Sequence, residues 1–240
     1  MSNSERRHPI TVRVSAHFHN LACGNCTTGN CYVIRTQALW YNLVAMHNSV
    51  TLPANRPLVA QLGPHHRARV LAHLRQLPAN DLWLRFGYVV TDEALQRYVR
   101  SLHFSRDAVF GIFDHDAELM ALGHLGFEKA ADSKTAEFGV SVLPPMRRQG
   151  FGLLLLQRAA MHARNRGATQ LLMAYVPENE ALKHLARRAN MNLVQDRYEP
   201  HAYLKLEPSS AASLMDETFS EMLATVDLGF RVGNAKVAAH

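Results

Sequence analysis

The chain has 240 residues, 48% of them hydrophobic and 19% charged, enough apolar material to bury a core and far from the composition of a disordered or collagen-like chain. Its longest aliphatic run, Leu153 to Leu156, falls well short of the ~20 apolar residues a membrane helix needs. The net charge of +6 favours an anionic partner and says little about fold.

Residues 1 to about 60 read as an irregular extension, with Asn, Thr and Gly around Cys23, Cys26 and Cys31 and an apolar stretch from Ala38 to Met46. One Cys-x-x-Cys pair with His17 and His19 nearby has the chemistry of a zinc site but lacks a second ligand pair, so an unliganded segment and no bound metal are expected. Three cysteines make no disulfide framework. The opening residues, Met1 to Pro9, lead into no apolar stretch, and the cytoplasm is the expected compartment.

From His65 the pattern becomes periodic. Val70, Leu71, Leu74 and Leu77 recur at helical spacing up to a stop at Pro78. Thr91, Asp92 and Glu93 cap a second helix that carries Leu95, Val99 and Leu102 on one face. The period then changes to that of strands at 108–113, 118–127 and 135–143, joined by the Asp114-His115-Asp116 turn and a polar loop from Glu128 to Lys134. A helix from about Gly150 to Asn165 ends at Gly167, a residue suited to the left-handed conformation of a helix end. A strand at 169–176, a helix at about 179–189, strands near 193–197 and 202–206, and a tail helix carrying Leu214, Phe219, Met222, Leu223 and Val226 complete the chain. Pro208, Ser209 and Ser210 mark the boundary before that tail.

The excess positive charge is concentrated. Between Val142 and Asn190 stand eight basic residues against two acidic ones. Within that stretch, Val142-Leu-Pro144-Pro-Met-Arg147-Arg148-Gln149-Gly150-Phe151-Gly152 is a strand feeding through a basic, glycine-containing loop into a helix. The free N–H groups of a helix start, with its dipole, attract an anion, and Gly150 and Gly152 let a bulky one approach the backbone. Arg147 and Arg148 add forked donors for phosphate oxygens. Neither Gly-x-Gly-x-x-Gly nor Gly-Lys-Ser/Thr is present, which sets aside dinucleotide-binding and P-loop readings. No recognition motif for nucleic acid accompanies the basic face, so a nucleic-acid partner is disfavoured.

On these residues the chain resembles the GNAT superfamily of acyl-CoA-dependent N-acyltransferases: Val142-x-Pro144-x-x-Arg147-x-x-Gly150-x-Gly152 is similar to its acetyl-CoA motif, and the likeness runs from about Leu62 to Pro208. The resemblance implies an α+β fold with a mixed, mostly antiparallel sheet split at a V-shaped cleft, forming a domain at 61–208 between the extension and a tail at 209–240. It implies acetyl-CoA as acyl donor, with the backbone of Val140, Ser141 and Val142 against the pantetheine arm. Arg148, Gln149, Gly150 and Gly152 would hold the pyrophosphate, and Asn179 would touch the CoA arm. The acceptor would be a primary amine of a small molecule or protein, attacking directly in a ternary complex, and no membrane partner is implied. A homodimer is compatible with the sequence.

Attack needs a neutral amine, and an alkylamine with a pKa near ~10.4 must first lose a proton. Glu137, at the start of the strand leading to the loop, stands where the family often keeps a carboxylate base, against the plainer reading of a solvated strand-end residue. His124 is a second candidate, against a packed, hydrogen-bonded histidine. The family's tyrosine acid, seven residues after the Asn179 position, falls on Ala186 and is missing. That departure keeps a second reading open, a non-catalytic acyl-CoA-binding or partner-binding module.

Overall fold

The computed structural model describes residues 57–127, 134–197 and 199–238, with side chains as far as Gly233. The expected extension lies outside the described residues up to position 56, cysteines included, as do the loop at 128–133 and Tyr198, whereas Ala60, expected in that irregular extension, is the first residue of a strand. Strand β1 (Ala60–Leu62) is followed by three helices, α1 (Arg67–Arg75), α2 (Ala79–Phe86) and α3 (Asp92–Ser101). Next come the strands β2 (Ala108–Phe113), β3 (Leu119–Phe127) and β4 (Thr135–Val142), then helix α4 (Phe151–Asn165), strand β5 (Gln170–Ala174) and helix α5 (Glu180–Arg188). Strands β6 (Asn192–Val194) and β7 (His201–Lys205) and the tail helix α6 (Ala211–Ala238) finish the order.

Helix α2 has no counterpart among the expected elements, because Pro78 reads in the sequence as a stop. Proline lacks only an N–H that a first turn does not use, so it starts helices as readily as it ends them. Pro78 caps α2, Asp81 lies in the first turn, and Gly87 at φ +78° closes the last, its N–H donating to Trp83 O at 2.7 Å. The other expected helices and strands are present within a few residues of their predicted ends. Thr91 caps α3 as expected, its Oγ1 accepting from Ala94 N at 3.3 Å.

The seven strands form one sheet in the order β1-β2-β3-β4-β5-β7-β6. Only the β4–β5 pair is parallel, and it covers three positions: Thr135 with Gln170, Ala136 with Leu171 and Glu137 with Leu172. Past Glu137 strand β4 stays paired with β3, Val140 facing Gly123 and Val142 facing Ala121, while β5 stays paired with β7. The sheet is therefore split from that point onward, and the split is the expected V-shaped cleft. Side chains alternate across a strand. Phe138 packs with Gly123 and Leu155 on the α4 side, so Glu137, Gly139 and Ser141 face the side of α1, α2 and α3. Strand β2 is buried along its whole length, with separate apolar clusters on the sheet's two sides.

The tail helix inverts its expected packing. Leu214, Phe219, Met222 and Val226 are about half exposed, while Ser213, Glu217 and Ala224 turn inward. Glu217 Oε1 accepts from Arg158 Nη1 and His162 Nδ1, both at 2.6 Å, and Glu217 Oε2 accepts from Asn165 Nδ2 at 2.6 Å. Burial raises the Glu217 pKa, but the three donors outweigh it and bring it to about 2. A charged network on α4, together with Ala224 and Leu228 in an apolar cluster, anchors the helix.

Candidate functional site

Two groups of residues meet at the cleft. The first is the turn between β4 and α4. Arg148 at φ +63° and Gly150 at φ +83° both take left-handed backbone, a pattern in which successive N–H groups converge on one point. Helix α4 has no capping side chain and no acidic residue in its first turn, so its leading N–H groups are left for an outside acceptor. Nothing lies within 4 Å of where a Gly150 side chain would begin, and a β-carbon at Gly152 would meet only Leu185 at 3.5 Å, ordinary contact. The cradle is open, and its donor chemistry fits a pyrophosphate.

The predicted cofactor residues divide within this geometry. Val140 and Val142 turn their side chains into the α4-side core and leave their backbone along the split edge of β4. Arg148 and Gln149 are exposed in the loop. Phe151 is buried and roots the helix in the core. Arg147 is engaged otherwise: it pairs with Asp81 of α2, and its Nε donates to Val142 O at 3.2 Å. Asn179 is likewise committed, its Oδ1 accepting from Leu182 N at 2.9 Å as the cap of α5 and its Nδ2 donating to Leu84 O at 3.1 Å. Both residues fasten α2 across the cleft, Arg147 at one end and Asn179 at the other. Ser141 Oγ lies 2.8 Å from His73 Nε2, whose partner nitrogen Nδ1 lies 2.8 Å from Leu119 O. A carbonyl only accepts, so Nδ1 carries the proton and the serine donates to Nε2. Burial holds His73 neutral, with its pKa lowered to about 4.

The second group stands on the sheet face beneath α2 and α3. Glu137 is exposed at the vertex of the split, beside a cavity of about 210 Å³ lined by Gly126, Phe127, Thr135, Glu137 and Leu172. His124 pairs in register with Gly139, its Nδ1 is 3.0 Å from Tyr98 Oη, and its Nε2 is 3.6 Å from Asp107 Oδ2. Burial and then Arg85 push the His124 pKa down, Asp107 opposes them, and the result is about 4. Burial raises the Tyr98 pKa, and the negative Asp107 and Glu137 add to it. Asp107 is itself raised by burial but lowered on balance, chiefly by the hydrogen bonds from Arg106. Ala186 is fully buried in the core and offers no polar group to the cleft.

The structure thus brings Glu137 and His124 to one face and the loop residues to the other end of β4. His73, Arg85, Tyr98 and Asp107 join the site without having stood out in the sequence. His73 had a signal, since it shares the apolar face of Val70 and Leu74. Tyr98 had the same kind of signal, standing beside Leu95 and Val99 on the predicted helix, whereas Arg85, on the unpredicted helix α2, and Asp107, in the turn before β2, had none.

Residues 76–191 match the model of the Acetyltransferase (GNAT) family. Among solved structures the fold is similar to the GNAT domain of PAT from S. lividans, at 16% identity and a TM-score of 0.54 over 62% of this chain and 90% of that one. It is similar also to an N-acetyltransferase from Staphylococcus aureus Mu50, at 17% identity and a TM-score of 0.52 over 64% of this chain and 100% of that one. The protein yncA of Salmonella typhimurium, solved with its cofactor acetyl-CoA, shares 14% identity and a TM-score of 0.51 over 65% of this chain and 98% of its own. No curated protein matches the sequence.

Proposed function

We propose, from the match of residues 76–191 to the GNAT family model, that this chain is an N-acetyltransferase moving an acetyl group from acetyl-CoA to a primary amine by direct attack in a ternary complex. The observation that carries this reading is the coincidence of the split between β4 and β5 after Glu137 with the uncapped, glycine-led start of α4. The backbone at Arg148, Gln149, Gly150 and Gly152 would hold the pyrophosphate, and the edge of Val140 to Val142 the pantetheine arm. Acetyl-CoA supplies a thioester carbonyl and a thiolate able to leave. The catalytic domain is assigned to 61–208, with 209–240 as its tail.

The chain's own contribution is placement and proton removal. Fixing an amine beside the vertex turns a two-molecule encounter into an intramolecular one, worth up to ~7–11 kcal/mol in ideal cases. Glu137 takes the ammonium proton, because its carboxylate stands open at the vertex. His124 is less suited to be the base. If Tyr98 donates to Nδ1, the ring proton sits on Nε2 toward Asp107 and no lone pair remains. In this reading His124 positions Tyr98 and stays neutral. Ala186 gives the binding-only reading its one specific support.

The test is calorimetry of the full chain with acetyl-CoA, free CoA and a short DNA duplex, followed by a thiol-release assay over a panel of amines. Binding of both CoA species but not the duplex, with thiol release from at least one amine, is expected. Binding with no release across the panel would favour a binding module, and no binding of either CoA species would remove both readings.

A further inference from the structure

Arg85, in the last turn of α2, lies against β4 with its guanidinium over Gly139, where any β-carbon would overlap it. It is half-buried, lies 5.2 Å from the Phe86 ring and stands near enough to His124 to act on its charge. The neighbouring arginines are tied down. Arg67 donates to the carbonyls of Val99, Arg100 and Leu102, Arg75 pairs with Asp92, Arg106 with Asp107 and Arg147 with Asp81. The one acid of α2, Asp81, is spent on Arg147, and no carboxylate lies within ion-pair distance of Arg85 among the described residues. A partly desolvated guanidinium without an anion is costly, and its planar fork matches a carboxylate.

Its surroundings define what would lie against it. Arg85 covers Gly139, while Gly126, opposite Glu137 in register, leaves the face open beside it, with nothing within 4 Å of where a Gly126 side chain would begin. Glu137 shares the face two residues from Gly139 along β4, a backbone advance of roughly 6.5 Å at strand rise. A positive fork and a negative carboxylate thus share one face beside the open Gly126 position, at a spacing that accommodates a zwitterion. The anion of such a ligand meets Arg85, and its ammonium is turned toward Glu137 at the vertex. A polyamine or aminoglycoside would set a second positive charge against Arg85 instead.

We propose that Arg85, seated on Gly139, is the anion-binding arm of the acceptor site, and that the acceptors are amines bearing a carboxylate close to the amino group, the amino acids. This assignment rests on the acetyltransferase reading above, and the experiment separates the two. Thiol release by the full chain is measured with the twenty protein amino acids, their amides, phenethylamine and putrescine, in the native protein and in Arg85→Gln, Arg85→Lys and Gly139→Ala. Circular dichroism confirms folding, and calorimetry gives acetyl-CoA affinity for each.

The amino acid that is turned over should have a KM about 10–100-fold below that of its amide. Arg85→Gln should erase most of that difference with a smaller change in kcat, Arg85→Lys should restore part of it, and Gly139→Ala should act like Arg85→Gln by unseating the fork. If no amine is turned over, nuclear magnetic resonance titration of the same twenty amino acids decides, with binding expected to be lost in Arg85→Gln. Equal KM for acid and amide, amino-acid binding indifferent to Arg85→Gln, or no amino acid bound at all overturns the proposal. So does a fall in acetyl-CoA affinity in Arg85→Gln, which would assign the arginine to the acyl donor. Failure of acetyl-CoA to bind the native chain removes the acetyltransferase reading, while Arg85-dependent binding of an amino acid is still read on its own.

Discussion

The two ends of β4 are built on opposite plans. At its C-terminal end the loop from Leu143 to Gly150 is one continuous stretch of chain, and what it offers a ligand is backbone. Toward its N-terminal end the face holding Glu137, His124, Tyr98, Asp107 and Arg85 is assembled from α2, α3, β3, β4 and the turn before β2, and what it offers is side chains. A backbone site depends on conformation and tolerates most side-chain changes. A side-chain site depends on the identity of the groups that act on the substrate.

The largest effect should therefore come from the side-chain end. Glu137→Gln keeps shape and removes the base, and kcat/KM is expected to fall about 10²–10⁴-fold while acetyl-CoA affinity measured by calorimetry stays as in the native chain. A rate near normal would return Glu137 to a solvated strand residue. Two histidines give the next effect. His73 and His124 both have folded pKa values of about 4 against an ordinary 6.5, so the folded state resists the proton that the unfolded chain accepts. Their contribution is fully present above pH 6.5 and is lost as the pH falls from 6.5 toward 4, by roughly 2–3 kcal/mol each at pH 4.5. Urea unfolding at pH 7.5, 5.5 and 4.5 should show that loss, and a flat profile would mean that the rings are not held neutral.

The contrast also explains what could be read in advance. The loop was legible because its residues are neighbours in sequence: Gly150 and Gly152 with the flanking basic residues are one motif, and Gly150 indeed takes the left-handed backbone that only glycine adopts at no cost. Strands β2 to β5 and helix α4 were legible through their period. Helix α2 was not, because Pro78 carries the same letter whether it ends one helix or starts the next. With α2 unseen, neither Arg85 over Gly139 nor the bonds from Arg147 and Asn179 to that helix had any sequence signal. The tail was legible as a helix but not in its facing, since its docking depends on Glu217 meeting Arg158, 59 positions away.

At the backbone end, substitutions sort by whether they change conformation. Gly150→Val forces a branched residue into φ +83°, at a cost of roughly 1–2 kcal/mol, and sets a side chain in the open cradle. Acetyl-CoA affinity should drop at least about 10-fold, and affinity that stays unchanged would mean that this loop does not hold the donor. Arg148→Ala removes an exposed cation and should weaken binding by up to about 10-fold, less at high salt. Arg147→Ala should act differently, because Arg147 is bonded to Asp81 and Val142 O. Asp81→Asn is expected to reproduce its effect, and an Asp81→Asn variant with native affinity would free Arg147 to act on phosphate directly.

The smallest effect on rate concerns the missing acid. Ala186 cannot protonate a leaving thiolate, and the best-placed phenol among the described residues is Tyr98, which the sequence did not single out. Its hydroxyl sits 3.0 Å from His124 Nδ1, and burial has raised its pKa. In the His124 tautomer that carries the ring proton on Nε2 toward Asp107, the Tyr98 hydroxyl donates to His124 and is a poor donor to anything in the cleft. Tyr175 is similarly occupied, donating to Val194 O at 3.2 Å. A CoA thiol has an acidity near that of cysteine, ~8.5, so its thiolate leaves tolerably without help. Tyr98→Phe should therefore change kcat/KM by no more than about fivefold, while leaving His124 Nδ1 without its donor should cost roughly 1–3 kcal/mol of stability. The pH profile should rise with deprotonation of the amine and show no falling limb assignable to a tyrosine. A loss of 100-fold or more in Tyr98→Phe, with the rising limb unchanged, would make Tyr98 the displaced acid and His124 the residue that supplies it with a proton.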